Sequence, residues 1–87
     1  MFKIVIHKKS IKKLREMGKS SLKRMANLIE ILETDPIPWK YFDVKKLEGE
    51  KDTYRVRIGK YRIIYFVDKN SKIIHILKIE KREKAYK

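Results

Sequence analysis

At the start of the chain Phe2, Ile4 and Ile6 alternate with Lys3, Val5 and His7, the period of a β-strand. The period then changes. Ile11, Leu14 and Met17 recur three residues apart, which predicts a short helix, and Gly18 stands where such a helix would need a left-handed cap. Leu22, Met25, Ala26, Leu28, Ile29 and Leu32 form a second helical stripe, with Ser20 or Ser21 as its amino-terminal cap and Asp35-Pro36 beyond its end. The two helices should form a hairpin. Pro36-Ile37-Pro38-Trp39 reads as a loop after which Trp39, Tyr41 and Phe42 cover the core edge, with stacking on nucleic acid as the second reading, and Val44–Leu47 reads as a candidate short strand. Three strand-like runs follow, Tyr54–Ile58, Tyr61–Val67 and Ile73–Ile79, the last two joined by Asp68-Lys69-Asn70-Ser71. The expectation is one α+β domain over residues 1–87: an amino-terminal strand, a helical hairpin, then an antiparallel sheet of about three further strands.

Gly59-Lys60 has the Gly-X form of a two-residue hairpin turn. If these residues are the whole loop, Ile58 faces Tyr61, Arg57 faces Arg62 and Arg55 faces Ile64. Three arginines then share one face of the sheet. Like charges directly across a ladder repel, so Arg opposite Arg points to an anionic ligand, although antiparallel sheets also commonly leave one polar face in water. Ile64, Phe66, Ile73, His75 and Leu77 should lie on the same face, an apolar floor beside the cations that a partner would cover. Tyr54, Val56, Ile58, Ile63 and Tyr65 fall on the other face, which should pack on the helices.

Composition sharpens this picture. The 87 residues carry 24 Lys and Arg against 11 Asp and Glu, a net charge of +13, concentrated in basic blocks over residues 8–24, 51–62 and 78–87. A field of this size attracts polyanions, and nucleic acid is the expected partner, with solubility alone as the plainer explanation. The chain has no Cys and only two His, which removes thiolate chemistry and leaves too few imidazoles for a metal site. No metal or cofactor is expected. No apolar run approaches the roughly 18 residues of a membrane span, and the amino terminus lacks a secretory pattern, so a cytoplasmic protein without membrane contact is expected.

The succession Lys46-Leu47-Glu48-Gly49, Tyr54-Arg55-Val56-Arg57, Gly59-Lys60-Tyr61-Arg62-Ile63-Ile64-Tyr65 and Lys81-Arg82-Glu83-Lys84-Ala85-Tyr86 resembles the RelE toxins of the RelE/ParE superfamily. It spans essentially the whole chain. The resemblance implies a toxin of a type II toxin–antitoxin pair, an endoribonuclease that enters the ribosomal A site and cuts mRNA, neutralised by a small acidic RelB-like antitoxin. It implies catalytic roles for Arg57, Arg62, Arg82 and Tyr86, and RNA binding by Arg55, Lys60 and Lys81. RNA supplies its own nucleophile, the 2′-hydroxyl, so charge and position can be enough. One departure matters: well-known members carry Lys at the positions of Arg55 and Arg57, and an arginine stays protonated where a lysine can accept a proton. The proton acceptor is therefore open, with His75, Glu83 and Glu48 as candidates. Two other functions fit the same fold: a ParE-like gyrase poison, and a nucleic-acid-binding module without catalysis.

Overall fold

The alternating and helical stripes meet in a five-stranded sheet with both helices on one side. The computed structural model describes residues 1–82, which run β1 (Lys3–Ile6), α1 (Lys8–Arg15), α2 (Lys19–Leu32), β2 (Asp43–Lys46), β3 (Thr53–Ile58), β4 (Tyr61–Asp68) and β5 (Ile73–Lys81). The sheet order is β1-β5-β4-β3-β2. The four strands after the helices pair antiparallel with one another, and β1 joins in parallel beside β5, with Lys3 opposite Ile73 and Ile6 opposite Ile76.

The junction between the helices differs from the sequence reading. Gly18 is extended (φ −71°, ψ 167°) and begins α2 instead of capping α1, its carbonyl accepting the Leu22 N–H at 2.9 Å. The reason is at the end of α1. Three-residue bonds from Glu16 N–H to Lys13 O and from Met17 N–H to Leu14 O close that helix tightly, so no left-handed residue is required. Ser20 and Ser21 lie inside the first turn of α2, and no side chain caps it.

Met25, Leu28 and Leu32 of α2 meet Val56, Ile63, Tyr65, Ile74 and Ile76 of the sheet in the core, and each is buried. On α1, Ser10 is buried and donates its hydroxyl to the Ile76 carbonyl at 3.4 Å. The expected inner face of the hairpin, Tyr54, Val56, Ile58, Ile63 and Tyr65, is buried throughout. Period-two alternation thus separates the sheet cleanly into a packed face and an outer one.

The loop before β2 is tied to this core by one phenol. The Tyr65 hydroxyl donates to the Pro36 carbonyl at 2.8 Å, and its ring stacks on Tyr54 with centroids 5.6 Å apart. Phe42 packs on the core edge as expected, but Trp39 and Tyr41 do not: each is 67% exposed. The backbone here is a tight turn, in which Trp39 N–H bonds to Ile37 O and both Tyr41 N–H and Phe42 N–H to Pro38 O, and of its three rings only Phe42 meets the core.

Two details of β5 also differ from the sequence reading. Asp68 pairs with Ile73, so the connecting loop is residues 69–72, with Lys72 in the left-handed region (φ 59°). Ile64 faces Lys78 while the next residue, Tyr65, faces Ile76, which leaves Leu77 as an extra residue in a β-bulge. Beyond it the faces exchange.

Removing the phenol oxygen should be measurable. Tyr65→Phe is expected to lower stability by about 1 kcal/mol in urea unfolding, the net worth of one hydrogen bond. Burial, with Tyr54 and Asp35 adding to it, pushes the Tyr65 hydroxyl above its ordinary pKa of 10.0. The unfolded chain therefore loses this proton first, and wild-type stability should decline as pH rises past 10.0, a decline that Tyr65→Phe reduces.

Candidate nucleic-acid interface

Gly59 takes the left-handed conformation (φ 58°) that a two-residue turn demands at its first position, and Ile58 pairs with Tyr61 across it. Arg57 therefore faces Arg62, and Arg55 faces Ile64. One strand outward Asp43 pairs with Arg57, and on the other side Glu80 pairs with Arg62. A single rung across four strands reads Asp43, Arg57, Arg62, Glu80. The next rung reads Lys45, Arg55, Ile64, Lys78.

The repulsion between Arg57 and Arg62 is relieved from one end of their rung. Asp43 holds Arg57 Nε at 3.2 Å through Oδ2 and Arg55 Nη2 at 3.3 Å through Oδ1, so both its oxygens are committed. Arg55 is the most enclosed of the three, and its Nε–H is buried without an acceptor. Arg62 is exposed and makes no ion pair among the described residues, since Glu80 pairs with Lys78 at 3.0 Å. It is the open cation of the cluster.

The remaining expected residues divide. Lys60 sits in the hairpin turn, where its carbonyl accepts the Arg82 N–H at 2.6 Å. That bond prolongs the ladder past β5, and alternation from Glu80 carries Arg82 to the arginine face. Lys81 pairs with buried Tyr61, which puts it on the helix side, away from the cluster. Glu83 and Tyr86 lie outside the described residues. The Leu77 bulge decides this placement: without it Lys81 would share the arginine face and Arg82 would not.

Of the expected proton acceptors, none among the described residues reaches the cluster. His75 does lie on the outer face, opposite Phe66, but that is four positions along β4 from Arg62, roughly 13 Å. There it bonds through Nδ1 to Nε2 of His7 at 3.2 Å and packs near Phe66, with centroids 6.1 Å apart. Glu48 follows the end of β2 that pairs with Tyr54, at the far end of the sheet from Arg57. The apolar floor is real but shallower than expected: Ile64, Phe66 and Ile73 are half-buried, and Leu77 stands out at the bulge. Sequence reasoning missed Asp43 and Glu80, the two carboxylates that close the rung.

Comparison with known proteins follows the same lines. The family described as ParE toxin of type II toxin–antitoxin systems matches residues 4–86. A relative named toxin RelE1 from Methanocaldococcus jannaschii is 49% identical, over 99% of this chain and 96% of its own length. The toxin in an archaeal RelE–RelB complex from Pyrococcus horikoshii OT3 is similar at 42% identity and a TM-score of 0.87, over 97% of this chain and 98% of that one. The intact RelBE complex of Escherichia coli shares the fold at 17% identity, with a TM-score of 0.81 over 97% of this chain and 100% of that one.

The rung makes opposite demands on its members. Asp43→Ala should lower stability by up to about 1 kcal/mol by releasing two guanidiniums, whereas Arg62→Ala should leave thermal melts unchanged. If Arg62 contacts one phosphate, its loss should flatten the logarithmic salt dependence of single-stranded RNA binding by about 0.7. Filter binding at several salt concentrations checks the slope.

Proposed function

The chain belongs to the ParE toxin family of type II toxin–antitoxin systems and is a toxin of the RelE type, and from that premise we propose that it is a ribosome-dependent, metal-independent endoribonuclease that cuts mRNA in the A site. The observation that carries this reading is Arg62: an exposed guanidinium beside Arg57 on one rung, without an ion pair among the described residues. In the reaction the 2′-oxygen attacks the adjacent phosphorus and the bond to the 5′-oxygen breaks, leaving a 2′,3′-cyclic phosphate and a 5′-hydroxyl. Negative charge grows on the phosphate oxygens. Arg57 and Arg62 oppose that charge more strongly in the transition state than in the ground state, which is the condition for acceleration. Arg82 binds the same phosphate or its neighbour, Tyr86 stacks on a base, and Arg55 and Lys60 hold the RNA backbone, while Lys81, on the helix side, takes no part. A shallow face cannot by itself hold the 2′-hydroxyl in line, so the ribosome supplies that orientation. The protein acts in the cytoplasm, where translation occurs.

The partner that restrains it is a small, acidic, RelB-like antitoxin. The related Pyrococcus and E. coli structures are RelE–RelB complexes. Here half-buried Ile64, Phe66 and Ile73 border the guanidiniums, a surface suited to a segment carrying both carboxylates and apolar side chains.

Purified protein should leave free mRNA nearly intact and cut the same message when it is translated. Arg62→Ala and Arg82→Ala should abolish the cut with melting temperatures preserved. Mapping 5′ ends in a reconstituted translation system reads both. Equal cutting of free and translated RNA would overturn the ribosome dependence, and intact message alongside gyrase-dependent DNA breaks in cells would favour the gyrase-poisoning reading.

A further inference from the structure

An arginine cluster leaves one half of the chemistry unassigned. Guanidiniums donate hydrogen bonds and stay protonated, so none of Arg55, Arg57 and Arg62 can take the proton that the attacking 2′-hydroxyl must lose. Lysines apart, the described residues of the outer face offer four carboxylate or imidazole groups near the β3–β5 strands: Asp43, Asp68, His75 and Glu80. Asp43 has both oxygens on guanidiniums, at 3.2 and 3.3 Å. Asp68 and His75 sit toward the other end of the sheet, where Asp68 Oδ1 accepts the Ser71 N–H and His75 bonds to His7. Glu80 alone stands at the cluster with an uncommitted oxygen. It is the direct ladder partner of Arg62, with Cα atoms roughly 5 Å apart by antiparallel geometry. Its Oε2 meets Lys78 Nζ at 3.0 Å, its Oε1 has no protein partner among the described residues, and its side chain is 41% exposed.

We propose that Glu80 is the proton acceptor for the 2′-hydroxyl, placed beside Arg62 by the bulge at Leu77. The proposal rests on the ribonuclease reading above. The step balances simply: the 2′-oxygen bonds to phosphorus as its proton passes to Glu80 Oε1, the bond from phosphorus to the 5′-oxygen breaks, and that oxygen takes a proton from water. Glu80 then returns its proton to solvent, and nothing is oxidised or reduced. Lys78 holds the other carboxylate oxygen and so fixes the direction in which Oε1 points. Arg62, across the ladder, holds the phosphate against the same carboxylate. A base adjoining a cation on one rung thus receives the proton at the place where the new charge is stabilised. The bulge is essential to this arrangement, since an unbroken strand would turn Glu80 toward the core.

The test uses full-length protein on ribosomes carrying a defined message in the A site, under single-turnover conditions. Glu80→Gln keeps the shape and removes the basic oxygen, and should slow cleavage by roughly 10²- to 10⁴-fold while the concentration for half-saturation stays equal or falls. Glu80→Ala should be equally slow and regain part of its rate in added acetate, whereas Arg62→Ala should gain nothing from acetate. Matching thermal melts exclude a folding defect, and restored rate in acetate reports the missing carboxylate even if the alanine variant is less stable. A Glu80→Gln protein that cuts at the wild-type rate would overturn the assignment, as would a slow alanine variant indifferent to acetate. Wild-type protein that fails to cut ribosome-bound message would instead sink the ribonuclease reading, and the Glu80 assignment with it.

Discussion

A hairpin closed by Gly59 and Lys60 leaves its strands a single register, because two residues cannot absorb a slip and a slip of one would turn every side chain to the opposite face. Much of the molecule hangs on that constraint. It sends Tyr54, Val56, Ile58, Ile63 and Tyr65 together against α2, so the helix has a continuous apolar surface to cover. By the same alternation it forces Arg55, Arg57 and Arg62 together on the outside. Core and cationic face are two sides of one geometric decision, and a shift that removed one would remove the other.

The outer face is built in bands across the strands. At the hairpin end lies the acid–base–base–acid rung, then a rung with Arg55 and Ile64, then Phe66 and His75. Polarity falls along the strands, and the ion pairs to the arginines at the hairpin end come from Asp43 of β2. This division suits two kinds of ligand: a phosphate at one end and apolar side chains along the remainder. The bulge at Leu77 matters most where β5 passes the hairpin, since it lets one strand keep Ile76 and Ile79 in the core while turning Glu80 outward between them and the chain end.

The sequence made the hairpin readable because its information is local: a Gly-X pair and period two are enough to write the pairing of Arg57 with Arg62. The first and second helices were also legible as stripes, but their ends were not, since Gly18 serves as a left-handed cap or an extended start depending on how the preceding turn closes. Asp43 escaped notice for a different reason. It lies twelve residues before Arg55, on a strand of four residues, and only the pairing of β2 with β3 shows that it touches two guanidiniums. Glu80 was hidden by the bulge, because counting by twos from His75 assigns it to the wrong face. Trp39 and Tyr41 look like core residues by type, yet in the tight turn at Pro38 both stand exposed.

The parallel pairing of β1 with β5 joins Lys3 to Ile73, which lie 70 residues apart along the chain. β1 must wait for β5 before its edge of the sheet can form, and such long-range closure is slow compared with local hairpins. Glu80 and Arg82 belong to that same late segment. The β3–β4 hairpin can assemble from its own short turn, but the complete cationic surface cannot exist until β5 has docked beside β4.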